Sequence, residues 1–146
     1  MNFIKALDIS ASGLYAQKKR MEVVAQNIAN ADTILTDTME PYRRKVTILS
    51  AANEKKNFSS ILDKFSIPRE GDGVSVSVAT ADNEPFKLVY NPEHPLASED
   101  GYVKMPNVDT TVEMLELLSA TRAYEANITV LNATKTMFSK AMQIGK

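Results

Sequence analysis

The sequence predicts an α+β chain: long N- and C-terminal helices that form a coiled-coil domain, with a small β-rich insert between them. Three observations carry that prediction. Apolar residues recur at alternating steps of three and four near both ends, the signature of a helical seam. Five of the six prolines (Pro41, Pro68, Pro85, Pro92, Pro95) and three of the five glycines (Gly71, Gly73, Gly101) fall between residues 35 and 105, so long helices cannot run there. Within that stretch, short runs of β-branched and aromatic residues alternate with polar ones. The 146 residues suffice for one ordinary domain.

The first segment, residues 1–33, carries Ile4, Leu7, Ala11, Leu14, Lys18, Met21, Ala25 and Ile28 along one line. That spacing predicts a helix from Phe3 to Asn30, about 40 Å long at the usual rise per residue. Asn30, Ala31, Asp32 and Thr33 end it. The last segment, residues 107–146, repeats the pattern with Met114, Leu117, Thr121, Tyr124, Ile128, Leu131, Lys135, Phe138 and Met142. Thr110 and Glu113 have capping-box spacing at its start, and an unbroken run to Ile144 extends about 55 Å. This helix is expected to pair with residues 1–33.

Residues 34–106 form the link and the insert. Strand-like alternation appears in Tyr42, Arg44, Val46 and Ile48, in Val74, Val76 and Val78, and in Phe86, Leu88 and Tyr90. The part from 51 to 69 has little periodicity beyond Phe58, Ile61, Leu62 and Phe65, and reads as a mobile loop or one short helix.

Composition then narrows the function. Seventeen Lys plus Arg against eighteen Asp plus Glu leave a net charge of −1, without the positive field that draws a chain to nucleic acid. No apolar run approaches the roughly 20 residues needed to span a bilayer, and the start of the chain lacks a Sec-type signal pattern. With no Cys, cysteine chemistry and Cys-ligated metal sites are excluded, and one His cannot supply the clusters that most catalytic zinc sites need. His94 reads as part of a proline-bounded turn, and Gly71-Asp72-Gly73 as the turn before a strand, since it lacks P-loop residues. Scattered carboxylates give no basis for a catalytic pair, so no cofactor and no enzymatic activity are expected.

The seams themselves are weak. Lys18, Thr121 and Lys135 occupy seam positions, and Gly13 within the first helix costs about 1 kcal/mol relative to Ala. Further apolar groups lie off the seams: Phe3, Ile9, Tyr15, Val23 and Val24 in one helix, Leu115, Leu118 and Val130 in the other. Helices apolar on more than one face want more than one neighbour. Ser10, Ala11, Ser12 and Gly13 allow a second backbone to approach, while Asn27, Asn30, Asn127 and Asn132 need partners wherever they are buried. The physical reading is a subunit that completes its packing in an assembly.

Ala11 to Thr33, ASGLYAQKKRMEVVAQNIANADT, resembles the N-terminal signature of the flagellar rod and hook family, ending in N-I-A-N-A-x-T. The stretch from Asn107 resembles that family's other terminal helix, with R-x-Y-x-A-N at Arg122, Tyr124, Ala126 and Asn127. PYRRK at 41–45, VYNPEHP at 89–95 and GYVKMPNV at 101–108 are similar to its short proximal-rod members. The resemblance implies an axial, non-enzymatic subunit of the basal-body rod, in the periplasm, exported through the flagellar type III apparatus. Its terminal helices would build the inner coiled-coil tube of a torque-transmitting drive shaft. Implied partners are other rod proteins, further copies of the chain, the export apparatus and the protein at the export-gate and MS-ring junction, with no nucleic acid and no membrane insertion. The alternative is a soluble helical adaptor or export chaperone using the same seams. Expected interface residues are Ile4, Leu7, Leu14, Met21, Asn27, Ile28, Asn30, Met114, Leu117, Tyr124, Asn127, Ile128, Leu131, Phe138 and Met142. Arg43 and Arg44 join them as cations that meet acids of a neighbouring subunit.

Overall fold

The computed structural model describes residues 3–34, 40–52, 73–81 and 84–144. Two helices enclose four strands in chain order: α1 (Phe3–Ala29), β1 (Lys45–Ala51), β2 (Val74–Thr80), β3 (Lys87–Tyr90), β4 (Tyr102–Met105) and α2 (Thr110–Ile144). This is the α+β arrangement the sequence predicts. The reading of 51–69 as loop or short helix, and of Gly71 and Asp72 as a turn, falls almost wholly outside the described residues, as does most of the link at 34–40.

The strands form two separate two-stranded sheets, β1 with β2 and β3 with β4. β3 and β4 are antiparallel, with Leu88 opposite Lys104 and Tyr90 opposite Tyr102. Sequence alternation alone does not reveal β4, because four residues between Gly101 and Pro106 are too short a run to stand out. β1 begins three residues later than the alternation from Tyr42 suggests. The Tyr42 amide donates to the Thr33 carbonyl (3.1 Å) and the Arg44 amide to Asn107 Oδ1 (3.0 Å), so neither is available for a ladder.

The helix ends follow local chemistry. Past Ala29, the Asn30 amide still reaches the Gln26 carbonyl at 3.1 Å, and Asn30 Nδ2 donates to that same carbonyl at 2.8 Å. These bonds close the last turn. At the other helix the capping box gives way to a different cap: Asp109 Oδ1 accepts from the amide of Thr111 at 2.8 Å. An Asp one residue before the helix does the work assigned to Thr110, and Glu113 turns inward.

The chain divides into two compact units, each drawing on both helices. The first comprises Met1–Lys19, Leu49–Ser77 and Thr121–Lys146. Here Gly13 lets α2 approach: a Cβ at this position would sit 3.3 Å from Asn127 Nδ2. Ser12 Oγ donates to the Ile9 carbonyl (2.7 Å) and accepts from the Val74 amide (3.0 Å), so the small-residue group receives the start of β2. Gly73 precedes that strand at φ +122°, and a Cβ there would overlap Ser12 Oγ.

The second unit comprises Arg20–Ile48 and Val78–Ala120. Its apolar core is Val23, Val24, Val103 and Ala120, closed by the buried Pro106. Within one chain, then, the deepest line on α1 runs through Ala16, Val23, Val24 and Asn27, whereas the seam positions Leu7, Leu14, Met21 and Ile28 are half-buried and Ala11, Lys18 and Ala25 exposed. The displacement has a local cause. The strand start at Lys45 and the start of α2 both need the α1 face that carries Asn27, and packing follows that demand.

Candidate functional site

Two features of the chain stand out: a buried polar junction in the second unit, and an unusually apolar exposed surface on α2. The junction is built around Asn27, 1% exposed, near the end of α1. Its Nδ2 donates to the Lys45 carbonyl (2.8 Å) and to Glu113 Oε2 (2.9 Å). Its Oδ1 accepts from the Lys45 amide (3.0 Å) and from the Tyr42 hydroxyl (2.9 Å). All four hydrogen bonds open to a carboxamide are therefore made. The amide reads both backbone groups of Lys45 as a neighbouring strand would, which fixes where β1 begins.

Glu113, also 1% exposed, joins the start of α2 to the same point. Its Oε1 accepts from Arg44 Nε at 2.6 Å. Arg44 reaches on to Glu116 Oε1 at 3.4 Å, and Arg20 of α1 approaches Glu116 Oε2 at the same distance. Stepping back along α1 from Asn27 to Arg20 steps forward along α2 from Glu113 to Glu116, so the helices run antiparallel in this unit. Two cations face two carboxylates, which is the condition for burying charge at tolerable cost. Burial works against the Arg44 charge, but the hydrogen bond to Glu113 and the charges of Glu113, Glu116 and Glu84 outweigh it and hold its pKa above the ordinary value. Burial first, and the Glu113 carboxylate second, push the Tyr42 phenol above its ordinary value.

Arg44 therefore spends its side chain inside its own chain. Arg43 points elsewhere: its guanidinium lies 4.3 Å above the Phe86 ring and 3.8 Å from Glu40. Of the other amides expected at an interface, Asn30 bonds its own helix, and Asn127 packs on Gly13. The sequence marks Asn27 as an amide that needs partners wherever it is buried, but gives Glu113 only as a capping-box acid, because spacing cannot tell whether a carboxylate in the first turn reaches back to the cap or turns inward.

The apolar surface is the second feature. Met114, Ile128, Phe138 and Met142 of the predicted seam are exposed, while Leu117, Tyr124 and Leu131 are half-buried. Leu115, Leu118, Val130 and Met137 add exposed apolar area around the same helix, as do Ile9 and Tyr15 on α1. The side chain of Ile4 lies outside the described residues. Scattered apolar residues are ordinary on a soluble surface, but several successive turns of one helix are not.

Among the described residues no group of three His, Cys, Asp or Glu converges on a possible metal position, and no helix is long and apolar enough to cross a membrane. His94 lies in a turn, its amide donating to the Asn91 carbonyl (3.3 Å) and its Nδ1 accepting from the Leu96 amide (3.1 Å).

Comparison with known proteins agrees with this arrangement. A family model described as flagella basal body rod protein matches residues 7–34. A second, described as flagellar basal body rod FlgEFG protein C-terminal, matches residues 99–144. The Bacillus subtilis (strain 168) flagellar basal-body rod protein FlgC is 47% identical over 152 aligned residues, covering all of both chains. That of Salmonella typhimurium is 40% identical over 146 residues, again covering all of both. The Aquifex aeolicus protein is 37% identical over 146 residues, covering 100% of this chain and 99% of the relative. The two matched segments contain Arg20, Asn27, Asn107, Glu113 and Glu116, so the junction ties together the two segments the family models describe.

Proposed function

Because this chain belongs to the FlgC family of flagellar basal-body rod proteins, we propose that its two terminal helices polymerise with those of neighbouring rod subunits to make a torque-transmitting shaft. The chain is a structural subunit of the bacterial flagellar rod, lies in the basal body and associates with other rod components. The observation that carries the proposal is the apolar exposure all along α2: Glu113 and Ala120 are fully buried within the chain, while Met114, Leu115, Met137 and Met142 are 59–65% exposed. Burying each such side chain between subunits is worth roughly 1.5–3 kcal/mol, repeated at every copy. Contacts between unlike faces propagate as a helical tube when the rotation does not close into a ring.

Such a role needs a dense lattice of buried contacts and no active site. Entry through the flagellar type III export apparatus, placement in the proximal part of the rod and contact with the protein at the export-gate and MS-ring junction belong to the same reading. A soluble adaptor or export chaperone would bury the same side chains in a closed complex, but full-length similarity to rod proteins favours the axial role. Leu131→Asp tests the proposal. It places a charge in the interface at a half-buried position away from the junction, and is expected to abolish incorporation into basal bodies and motility while leaving the second unit folded. Normal motility in that variant contradicts the reading.

A further inference from the structure

The β3–β4 ribbon has one covered face and one open face. Val103 on the inner face is 3% exposed, and Val89 and Met105 flank it at half burial. The outer face consists of two adjacent cross-strand pairs, Leu88 with Lys104 and Tyr90 with Tyr102. Leu88 is 60% exposed and Tyr90 66%, and the two tyrosine rings meet edge to face with centroids 5.3 Å apart. Gly101, at φ +77°, leaves room for the Tyr90 ring, since a Cβ there would lie 2.9 Å from Tyr90 Cε2. The rings are thereby held in place at one end of the face.

The two ends of this small face carry opposite charge. Lys104 is exposed at the Leu88 end. At the tyrosine end, the connection from 91 to 101 brings exposed Glu93, Glu99 and Asp100 and no lysine or arginine. None of these four charges is in an ion pair among the described residues. Arg20 and the cations of 43–45, by contrast, are already held by Glu40, Glu113, Glu116 and the Tyr42 ring of their own chain. Such a face is its own complement. When a second copy is laid over it end for end, about a twofold axis between the ribbons and across the strands, Leu88 meets Tyr90 and Lys104 meets Tyr102, and each meeting occurs twice. The spacings agree by construction, because on both copies the two pairs are two strand residues apart, about 7 Å.

From this self-complementarity we infer that the outer face of the β3–β4 ribbon is a pairing surface of the free chain, and that its occupant is the same face of a second copy. Leu88 covers the ring of the partner's Tyr90. Lys104 lies over the ring of the partner's Tyr102, beside the partner's Asp100, where cation–π and ionic attraction act together. Stacking the two ribbons in the same direction would gather both lysines at one end and both acidic connections at the other, so charge selects the turned arrangement. Four side chains from each copy fall well short of the roughly 20–30 residues a side of a stable interface, so the pairing is weak and reversible. Head-to-tail polymerisation keeps every copy in one direction, whereas a twofold contact turns one copy over. The pairing therefore belongs to chain outside the rod and parts on incorporation, and it stands independently of the rod reading.

Sedimentation velocity of the full-length chain tests this. Wild type is expected to be monomeric when dilute and to populate a dimer on approaching about 1 mM at low salt. Lys104→Glu makes both ends of the face acidic, and Asp100→Lys puts a lysine at each end. Either substitution alone is expected to lower the association constant at least about tenfold, because like charges then meet. An equimolar mixture of the two variants is expected to regain the dimer as a mixed pair, since each supplies the charge the other lacks, and both substitutions together in one chain are expected to restore self-pairing. Neither recovery follows from loss of folding or from association through α2. A chain that stays monomeric at that concentration, a dimer indifferent to both substitutions, or single variants that weaken pairing without recovery in the mixture overturns the inference and leaves the rod role untouched.

Discussion

The two halves of α2 belong to one continuous helix and live by opposite rules. The first half enters a site where nearly every polar group has a named partner inside the chain, from Asp109 at the cap to Glu113 and Glu116 at the junction. The second half has apolar side chains on its surface over several turns, and its hydroxyls of Thr129, Thr134 and Thr136 merely bond back to carbonyls four residues earlier. The junction face of the first half is thus held inside the chain, while Met114, Leu115 and Leu118 on its other faces are as exposed as the apolar residues of the second half, and a substitution has different consequences on the two kinds of face.

Function separates them most strongly. Leu131→Asp is expected to eliminate rod incorporation and swarming while the thermal transition of the junction stays in place. Glu113→Ala should do the reverse in kind, acting on the isolated chain. It strips Arg44 and the Asn27 amide of a buried acceptor, which costs about 3 kcal/mol and lowers the midpoint by about 10 °C in a calorimetric scan. Equal effects of the two substitutions on the isolated chain would erase the distinction drawn between the halves.

A smaller effect is expected at Gly73. Alanine there must adopt φ +122° and displace Ser12 Oγ from the Val74 amide, for a loss of about 1–2 kcal/mol measured by denaturant titration. The smallest is a pH effect at Tyr42. Its folded pKa lies above its unfolded value of about 10, so the stability it contributes is fully present below that pH and fades as pH rises through the folded value. Wild-type chain should lose midpoint temperature in that alkaline window faster than Tyr42→Phe, and parallel curves would remove Tyr42 from the account.

Much of this was legible in the residues, for reasons that differ by element. The steps of three and four placed α1 and α2 to within a residue or so at their described ends, because a seam needs that period whatever covers it. Ser12 and Gly13 could be read as a point of close approach from size alone, and they are one, against Val74 and Asn127. The junction was only half visible. An Asn in a helix announces a need for partners, but the donors and acceptors that meet it come from residues 42–45 and from Glu113, 86 positions away, and local spacing carries no such pairing. The same limit applies to Arg44, which sequence reading sends to a neighbouring subunit and which the fold occupies with Glu113 and Glu116. Long-range polar matching depends on topology, and topology is fixed by the very strands that are hardest to see in short runs.

Hydrogen exchange bears most directly on the claim that the first half of α2 is held by its own chain and the second half by neighbours. In dilute full-length chain, amides from 110 to 120 and from 20 to 29 should be protected by large factors, while those from 130 to 144 exchange within the dead time and become protected in isolated basal bodies. Strong, uniform protection of both helices from end to end in the dilute chain would contradict it.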